Sequence, residues 1–218
     1  MRTKFHQALD GLKERLLVMA GLVEQAITRA TAAYADRDTE ICDLVLMSEP
    51  AINRMEREID QLALDLLAME QPMAVDLRFI LAVIRINADL ERVGDQAVNI
   101  ANRVKDLGTL QSTDIPVDIP KLAQLSSAMV RKALQSFIEA DAEMARSVLT
   151  LDDQVDDMNR NAHQSLTVYL QEHPECASQA LNALVISRNL ERVGDHATNI
   201  AEDVIFWVRG DDVRHGGA

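Results

Sequence analysis

The sequence predicts an all-α protein made of two tandem three-helix bundles that are related by an internal repeat. Apolar residues recur at spacings of three and four along most of the 218 residues, which is the pattern of amphipathic helices. Eight Gly, five Pro and an aromatic content of 3% favour an aliphatic core typical of helical bundles. Residues 89–101 and 189–201 are identical at ten of thirteen positions. Such a repeat indicates that one structural unit was duplicated.

Breaks in the periodicity divide the chain into six helices. The breaks fall at Asp36 to Asp38, at Gln71-Pro72, between Gly108 and Pro120, at Asp141 and at Glu172 to Pro174, where turn residues or proline interrupt the pattern. The predicted helices span about 3–35, 38–70, 74–107, 119–140, 142–171 and 176–209. The first repeat is then 1–107, the linker 108–118, the second repeat 119–210 and the tail 211–218. Helices joined by short loops pack antiparallel.

The third and sixth helices each carry one apolar seam. The seam residues are Val83, Ile86, Leu90, Val93, Ala97, Ile100 and Val104, and their counterparts Ala183, Ile186, Leu190, Val193, Ala197, Ile200 and Val204. Such a seam is the buried face of a bundle helix, so Leu90 and Leu190 are expected to be fully buried. Gly94 and Gly194 lie beside the seam, where glycine destabilises a helix by about 1 kcal/mol relative to alanine. Close approach of a neighbouring helix is the expected reason.

Composition excludes several classes of protein. A net charge of −13 argues against nucleic-acid binding, which requires basic patches, and suits cations or basic protein surfaces. Cys42 and Cys176 are too few and too far apart for a disulfide framework, which indicates a reducing cytoplasm. The N-terminal residues lack the apolar core of a signal peptide. No run of eighteen or more apolar residues suggests a membrane span.

Repeated acidic residues are the candidate site. Glu91 and Asp95 recur as Glu191 and Asp195, each pair one helical turn apart and roughly 140–180° from the seam by helical geometry. The second helix of each repeat carries a matching stripe at a constant offset of 103. Its members are Glu49, Asn53, Glu56 and Asp60 in the first repeat, and Asp152, Asp156, Asn159 and His163 in the second. Because like charges at this spacing repel, a compensating arginine or metal ion is expected.

Two interpretations of the stripes remain open at this point. Oxygen ligands suit iron, manganese, magnesium or calcium, with His163 or His196 as additional nitrogen donors. Alternatively, the stripes form a solvated face with salt bridges at helical spacing, such as Arg85 with Asp89, Arg92 with Asp95 and Arg188 with Glu191. The sequence shows no nucleophile setting, no phosphate-binding glycine loop and no Glu-x-x-His pair of a di-iron enzyme. It is therefore predicted not to be an enzyme.

Two signature segments resemble the PhoU family of phosphate-transport regulators. They are Gln71-Pro72-x-Ala74-x-Asp76-Leu77-Arg78-Phe79-Ile80, and the segment 89–95 with its repeat at 189–195. The resemblance covers nearly the whole chain and implies a six-helix, two-repeat, cytoplasmic and dimeric protein. It also implies a negative regulator of the phosphate-starvation response. The implied partners are the cytoplasmic subunit of a phosphate ABC transporter and a membrane sensor histidine kinase.

The same resemblance implies metal ions on surface carboxylates. Some members of the family carry iron or another cation on Glu/Asp-x-x-x-Asp motifs, so iron, manganese, magnesium or zinc is expected here. The implied ligands are Glu91 and Asp95, Glu191 and Asp195, and Asp152 and Asp156, together with Glu49. Asn53 replaces the second carboxylate of the Glu49 motif, so the first repeat departs from the pattern. A carboxylate-rich metal store or metalloenzyme is the alternative function.

Overall fold

The computed structural model describes residues 2–111, 113–211 and 213, and these contain six long α-helices and no strand. The helices are α1 (Arg2–Asp36), α2 (Thr39–Glu70), α3 (Val75–Gly108), α4 (Ile119–Glu139), α5 (Ala142–Glu172) and α6 (Ala177–Arg209). A short 3₁₀ turn, Pro174–Cys176, precedes α6. All six predicted helices are confirmed. Ser112 of the predicted linker, and Asp212 and residues 214–218 of the predicted tail, lie outside the described residues.

The turns between the first and second helices of the two repeats are alike. Asp38 caps α2 by accepting hydrogen bonds from the backbone N–H groups of Glu40 and Ile41. Asp141, its counterpart 103 residues later, caps α5 in the same way. The residue before each cap, Arg37 or Ala140, has a φ near 50°, in the left-handed region that non-glycine residues enter at some cost. The repeat therefore extends to backbone conformation and capping, well beyond the thirteen-residue segment.

Helices α3 and α6 form the centre of the molecule and contact each other more extensively than any other helix pair. They are antiparallel: Arg78, near the start of α3, donates to the carbonyl of Trp207 near the end of α6, at 3.2 Å. In the first repeat α1 and α2 pack on α3, and in the second α4 and α5 pack on α6. Helices α1 and α4 also contact each other, so the two repeats meet along two helix pairs.

Most buried apolar side chains of both repeats form one continuous core, and Leu166, Ala180 and Ala183 form a small separate cluster. Leu90 and Leu190 are both 0% exposed, which confirms the predicted seam. Near the start of α3 and the end of α6, Trp207 packs edge-on against Phe79 with ring centroids 5.1 Å apart. Phe137 of α4 lies beside both rings. The two repeats are therefore separate segments of the chain that share one main hydrophobic core.

Helix α1 contains one segment, Lys4–Asp36, that is long and apolar enough to cross a membrane by composition. The sequence prediction that no such stretch exists is wrong on that criterion. In the folded chain the apolar side of this segment, including Leu16, Met19 and Val23, is buried in the core. A core helix of a bundle gives this signal because its buried stripe raises the mean hydropathy.

The two seam glycines mark close helix contacts, as predicted. A Cβ atom added to Gly94 would lie 3.2 Å from Cδ1 of Ile52 on α2. A Cβ atom added to Gly194 would lie 3.2 Å from Cγ1 of Val155 on α5. Ile52 and Val155 are themselves 103 residues apart. The second and third helices of each repeat therefore approach each other at an equivalent glycine.

Candidate metal centre

Three carboxylates of the second repeat converge where α5 approaches α6. Asp152 and Asp156 lie one turn apart on α5, and Asp195 faces them from α6, with one oxygen of each within 4.8 Å of the others. We call these three residues the acidic cluster. The contact between Gly194 and Val155 positions them, because Gly194 precedes Asp195 and Val155 precedes Asp156. A Cβ atom at position 194 would require Val155 to shift slightly, because the contact at 3.2 Å is tight.

Burial and the repulsion of neighbouring negative charges raise the pKa of Asp152, of Asp195 and of the nearby Glu191. The pKa of Asp152 is raised to about 6, first by burial and then by the negative charges of Asp156 and Asp195. The pKa of Asp195 is raised by burial and by Asp156, although His196 and Arg192 partly offset this. The pKa of Glu191 is also raised, by burial and then by Asp195 and Asp156. Like charges held together in this way disfavour the ionised state, and a bound cation would offset that repulsion.

One oxygen of the acidic cluster has no partner in the protein. Oδ1 of Asp152 is buried and accepts no hydrogen bond, and leaving a buried polar atom unsatisfied costs free energy. A cation bound by Asp152, Asp156 and Asp195 would supply the missing partner and offset the repulsion. The donor set consists of carboxylate oxygens, which suits hard cations such as Mg²⁺ or Mn²⁺ and also iron. The residues present therefore fit a metal ion.

The first repeat is a weaker version of the same site. Burial, followed by the charges of Asp95 and Glu56, raises the pKa of Glu91, and Glu49 adds a smaller effect. The predicted residues are therefore close together across α2 and α3. Asn53, however, occupies the position of Asp156. Among the described residues only the second repeat brings three carboxylate, histidine or cysteine ligands within 4.8 Å of one another.

The acidic stripes point away from the bundle only in part. Asp195 is exposed, as its position on the helical wheel predicts. Glu91 and Glu191 are half-buried at the edges of the grooves toward α2 and α5. A helical wheel assumes one buried seam, but α3 and α6 each contact three other long helices. Their exposed arc is therefore narrow, and some residues opposite the seam lie beside a neighbouring helix.

Two further expectations about polar partners are wrong. Arg85 does not pair with Asp89 within α3; its Nη1 lies 3.1 Å from Oδ1 of Asp203 on α6. His196 does not turn toward the acidic cluster as a nitrogen ligand, because its Nδ1 lies 2.8 Å from Oδ1 of Asp89. Sequence spacing within one helix could not reveal these contacts, since both join the two repeats.

A groove beside the acidic cluster contains residues that the sequence did not single out. Its cavity of about 560 Å³ lies between α5 and α6. The residues that line it are Asp156, Asn159, Arg160, His163, Gln164, Leu184, Arg188 and Glu191, and we call it the α5–α6 groove. Asp156 belongs to both the groove and the acidic cluster. His163, expected as an extra nitrogen donor, lies in this groove and outside the cluster of three ligands.

The fold and the site define a class of protein: an all-α tandem repeat with carboxylates between the second and third helix of a repeat. The PhoU domain matches this chain twice, over residues 16–104 and 119–204. The chain therefore belongs to the PhoU family. It is 39% identical over 217 residues to a phosphate-specific transport system accessory protein PhoU homolog of Pseudomonas aeruginosa, covering 98% of this chain and 89% of that protein.

Solved structures give the same result. The crystal structure of PhoU from Pseudomonas aeruginosa superposes with a TM-score of 0.92 at 38% identity, covering 95% of this chain and all of that one. The crystal structure of the phosphate transport system regulatory protein PhoU from Streptococcus pneumoniae superposes with a TM-score of 0.88 at 28% identity, covering 96% and 99% of the two chains. The resemblance to the PhoU family is confirmed.

Proposed function

We propose that this protein is a cytoplasmic, non-enzymatic regulator of phosphate uptake that holds the phosphate-starvation response off when phosphate is ample. The observation that carries the proposal is the similarity, over nearly the full length, to proteins named as accessory to the phosphate-specific transport system. The proposed partners are the cytoplasmic subunit of the phosphate ABC transporter and a membrane sensor histidine kinase. The proposed oligomeric state is a homodimer.

The charge distribution supports binding to basic partner surfaces. Helix α2 carries eight acidic and two basic residues, and α5 carries six acidic and two basic residues. Exposed charges of this kind mainly raise the association rate, and salt screens them over about 10 Å at 0.1 M. Association with either partner should therefore weaken as salt is raised, chiefly through slower binding.

The acidic cluster is proposed to bind a divalent cation, with iron, manganese, magnesium or zinc as candidates. Its ligands would be Asp152, Asp156 and Asp195, with Glu191 close by. Glu49, Glu91 and Asp95 of the first repeat would form a second, weaker site. When bound, the cation would supply positive charge that joins α5 to α6. The protein's own residues set the spacing of the ligands through the contact between Gly194 and Val155.

Deleting the gene and measuring a phosphate-regulated promoter in phosphate-rich medium tests the regulatory proposal. We expect the promoter to be active without the protein and repressed again when the intact chain is restored. If the promoter remains silent in the deletion strain and no partner is retained at low salt, the regulatory proposal is wrong.

Metal analysis of protein purified without chelator tests the cation site. Asp195→Asn should remove most of the bound metal, and Asp95→Asn is the matched change in the first repeat, where the loss should be smaller. Equal metal content in both variants and in the unaltered chain would refute the assignment. Tight metal binding in a chain that fails to restore repression would favour the second candidate function, a carboxylate-rich metal store or metalloenzyme.

A further inference from the structure

The α5–α6 groove combines basic side chains with the wall of the acidic cluster. Arg160 and His163 line it from α5, and Arg188 lines it from α6. Asp156 and Glu191 form its boundary with the acidic cluster. Guanidinium groups are suited to phosphate oxygens because their N–H groups form a planar fork. The groove therefore places oxyanion-binding groups directly beside the proposed cation.

The two repeats differ in the residues that matter for an anion. Arg160 corresponds to Arg57 of the first repeat, so this guanidinium is common to both. His163 corresponds to Asp60, and Arg188 corresponds to Ala88. The second repeat thus has an imidazole in place of a carboxylate and a guanidinium in place of a methyl group. The same repeat has Asp156 in place of Asn53, so the third cation ligand and the extra basic groups occur together.

Without a cation, the groove does not favour an anion. Arg160 is paired with Asp157 at 2.6 Å, and the charge of Arg188 acts on Glu191. The Arg160–Asp157 pair is 64% exposed on both sides, so it is weak and can exchange partners at little cost. A divalent cation on the acidic cluster would offset two of the negative charges of Asp152, Asp156 and Asp195. This would reduce the repulsion of an anion beside Arg160 and Arg188.

We propose that the α5–α6 groove binds a phosphate group, either inorganic phosphate or the terminal phosphate of a phosphoester, next to the cation of the acidic cluster. This inference rests on the proposed cation site. Arg188 and Arg160 bind the phosphate oxygens, and His163 lies at the same wall. The cavity of about 560 Å³ is larger than a phosphate ion requires, so it also admits the organic part of a small phosphoester.

The arrangement requires that cation and phosphate bind cooperatively. If the cation raises the affinity for phosphate, then phosphate raises the affinity for the cation by the same factor. Arg188→Ala should reduce this coupling without removing any ligand of the cation. It also recreates the residue found at Ala88, so a matched comparison exists within the chain.

Isothermal titration of the full chain tests the proposal. The protein is stripped with chelator, reloaded with Mn²⁺ below the solubility limit of manganese phosphate, and titrated with inorganic phosphate, glycerol phosphate or sulfate. We expect phosphate binding only with Mn²⁺ present, and we expect Arg188→Ala to weaken it by about tenfold or more, the usual effect of losing a charge-assisted hydrogen bond. Arg57→Ala in the first repeat should leave it unchanged. Tighter binding of glycerol phosphate than of inorganic phosphate would identify a phosphoester as the ligand.

The outcomes separate the inference from the cation site on which it rests. If Mn²⁺ binds but no phosphate is taken up, or if Arg188→Ala binds phosphate as the unaltered chain does, the phosphate site is wrong and the cation site stands. If Mn²⁺ does not bind, both fail. Mn²⁺ affinity without phosphate should change by less than about threefold in Arg188→Ala, since only a nearby charge is lost. Circular dichroism of each variant confirms that the helices are intact.

Discussion

Asp89 of α3 and His196 of α6 are joined by a hydrogen bond across the centre of the molecule, with 2.8 Å between Oδ1 and Nδ1. Asn199 donates to the same oxygen at 3.1 Å. Positions 89 and 196 are two of the few at which the repeated segments differ, since their counterparts are Asn189 and Gln96. Nδ2 of Asn189 and Oε1 of Gln96 are buried without a hydrogen-bond partner. The repeats have therefore diverged where they contact each other.

Replacing Asp89 with Asn, the residue of the other repeat, should lower the free energy of unfolding by about 1–2 kcal/mol, because a charge-assisted hydrogen bond between the repeats is weakened. Chemical denaturation at pH 7 measures the change. His196→Gln should have a similar effect. Because each single change already weakens the same hydrogen bond, the loss in the double variant should be smaller than the sum of the two single losses. Strictly additive losses would show that the two residues act independently.

The fold was largely predictable because it depends on patterns that are local in sequence. The seam around Leu90, the cap at Asp141 and the proline-marked turns specify helices one at a time. The pairing of Arg85 with Asp203 could not be predicted, because it depends on how α3 crosses α6, 118 residues away in sequence. The carboxylates of the acidic cluster are predictable because acidic residues recur in both repeats. Arg188 is not predictable as a groove residue from the repeat, because its counterpart is Ala88.

Leu90→Ala and Leu190→Ala test the shared core. Both side chains are fully buried, so each change should lower the free energy of unfolding by about 2–5 kcal/mol, the range for a leucine lost from a packed interior. Because the core is continuous, either variant should still unfold in a single transition. Leu64→Ala is the matched control, since Leu64 is 55% exposed. Two separate transitions in either core variant would mean that the repeats fold as independent domains.

Replacing two helical glycines with alanine separates the effect of helix propensity on stability from the effect of helix packing. A Cβ atom at Gly21 would meet nothing within 4 Å, so Gly21→Ala should raise the free energy of unfolding by about 0.5–1 kcal/mol. At Gly94 the same atom would lie 3.2 Å from Ile52. Gly94→Ala should therefore lose most or all of that gain through strain against α2. Thermal unfolding compares the two variants directly, and equal stabilisation would contradict the close approach of α2 to α3.

The raised pKa of Asp152, about 6, predicts how stability depends on pH in the absence of metal. The pKa of an aspartate in an unfolded chain is about 3.9. Between pH 3.9 and 6, roughly, the folded chain therefore binds more protons than the unfolded chain, so the free energy of unfolding falls as the pH rises. Asp152→Asn should remove this loss. In chelator at pH 7.5 the variant should be more stable than the unaltered chain by about 1 kcal/mol, less than the full shift implies because solvent screens a partly exposed group.

Adding a cation should reverse that order of stability. A ligand at a hundred times its Kd stabilises a folded protein by about 2.7 kcal/mol, so Mn²⁺ should raise the melting temperature of the unaltered chain. Asp152→Asn lacks one ligand of the acidic cluster and should gain much less. Asp153→Asn is the matched control, because it removes the same charge from an exposed neighbour without removing a cluster oxygen. It should respond to Mn²⁺ as the unaltered chain does, and an equal gain in all three proteins would place the cation elsewhere.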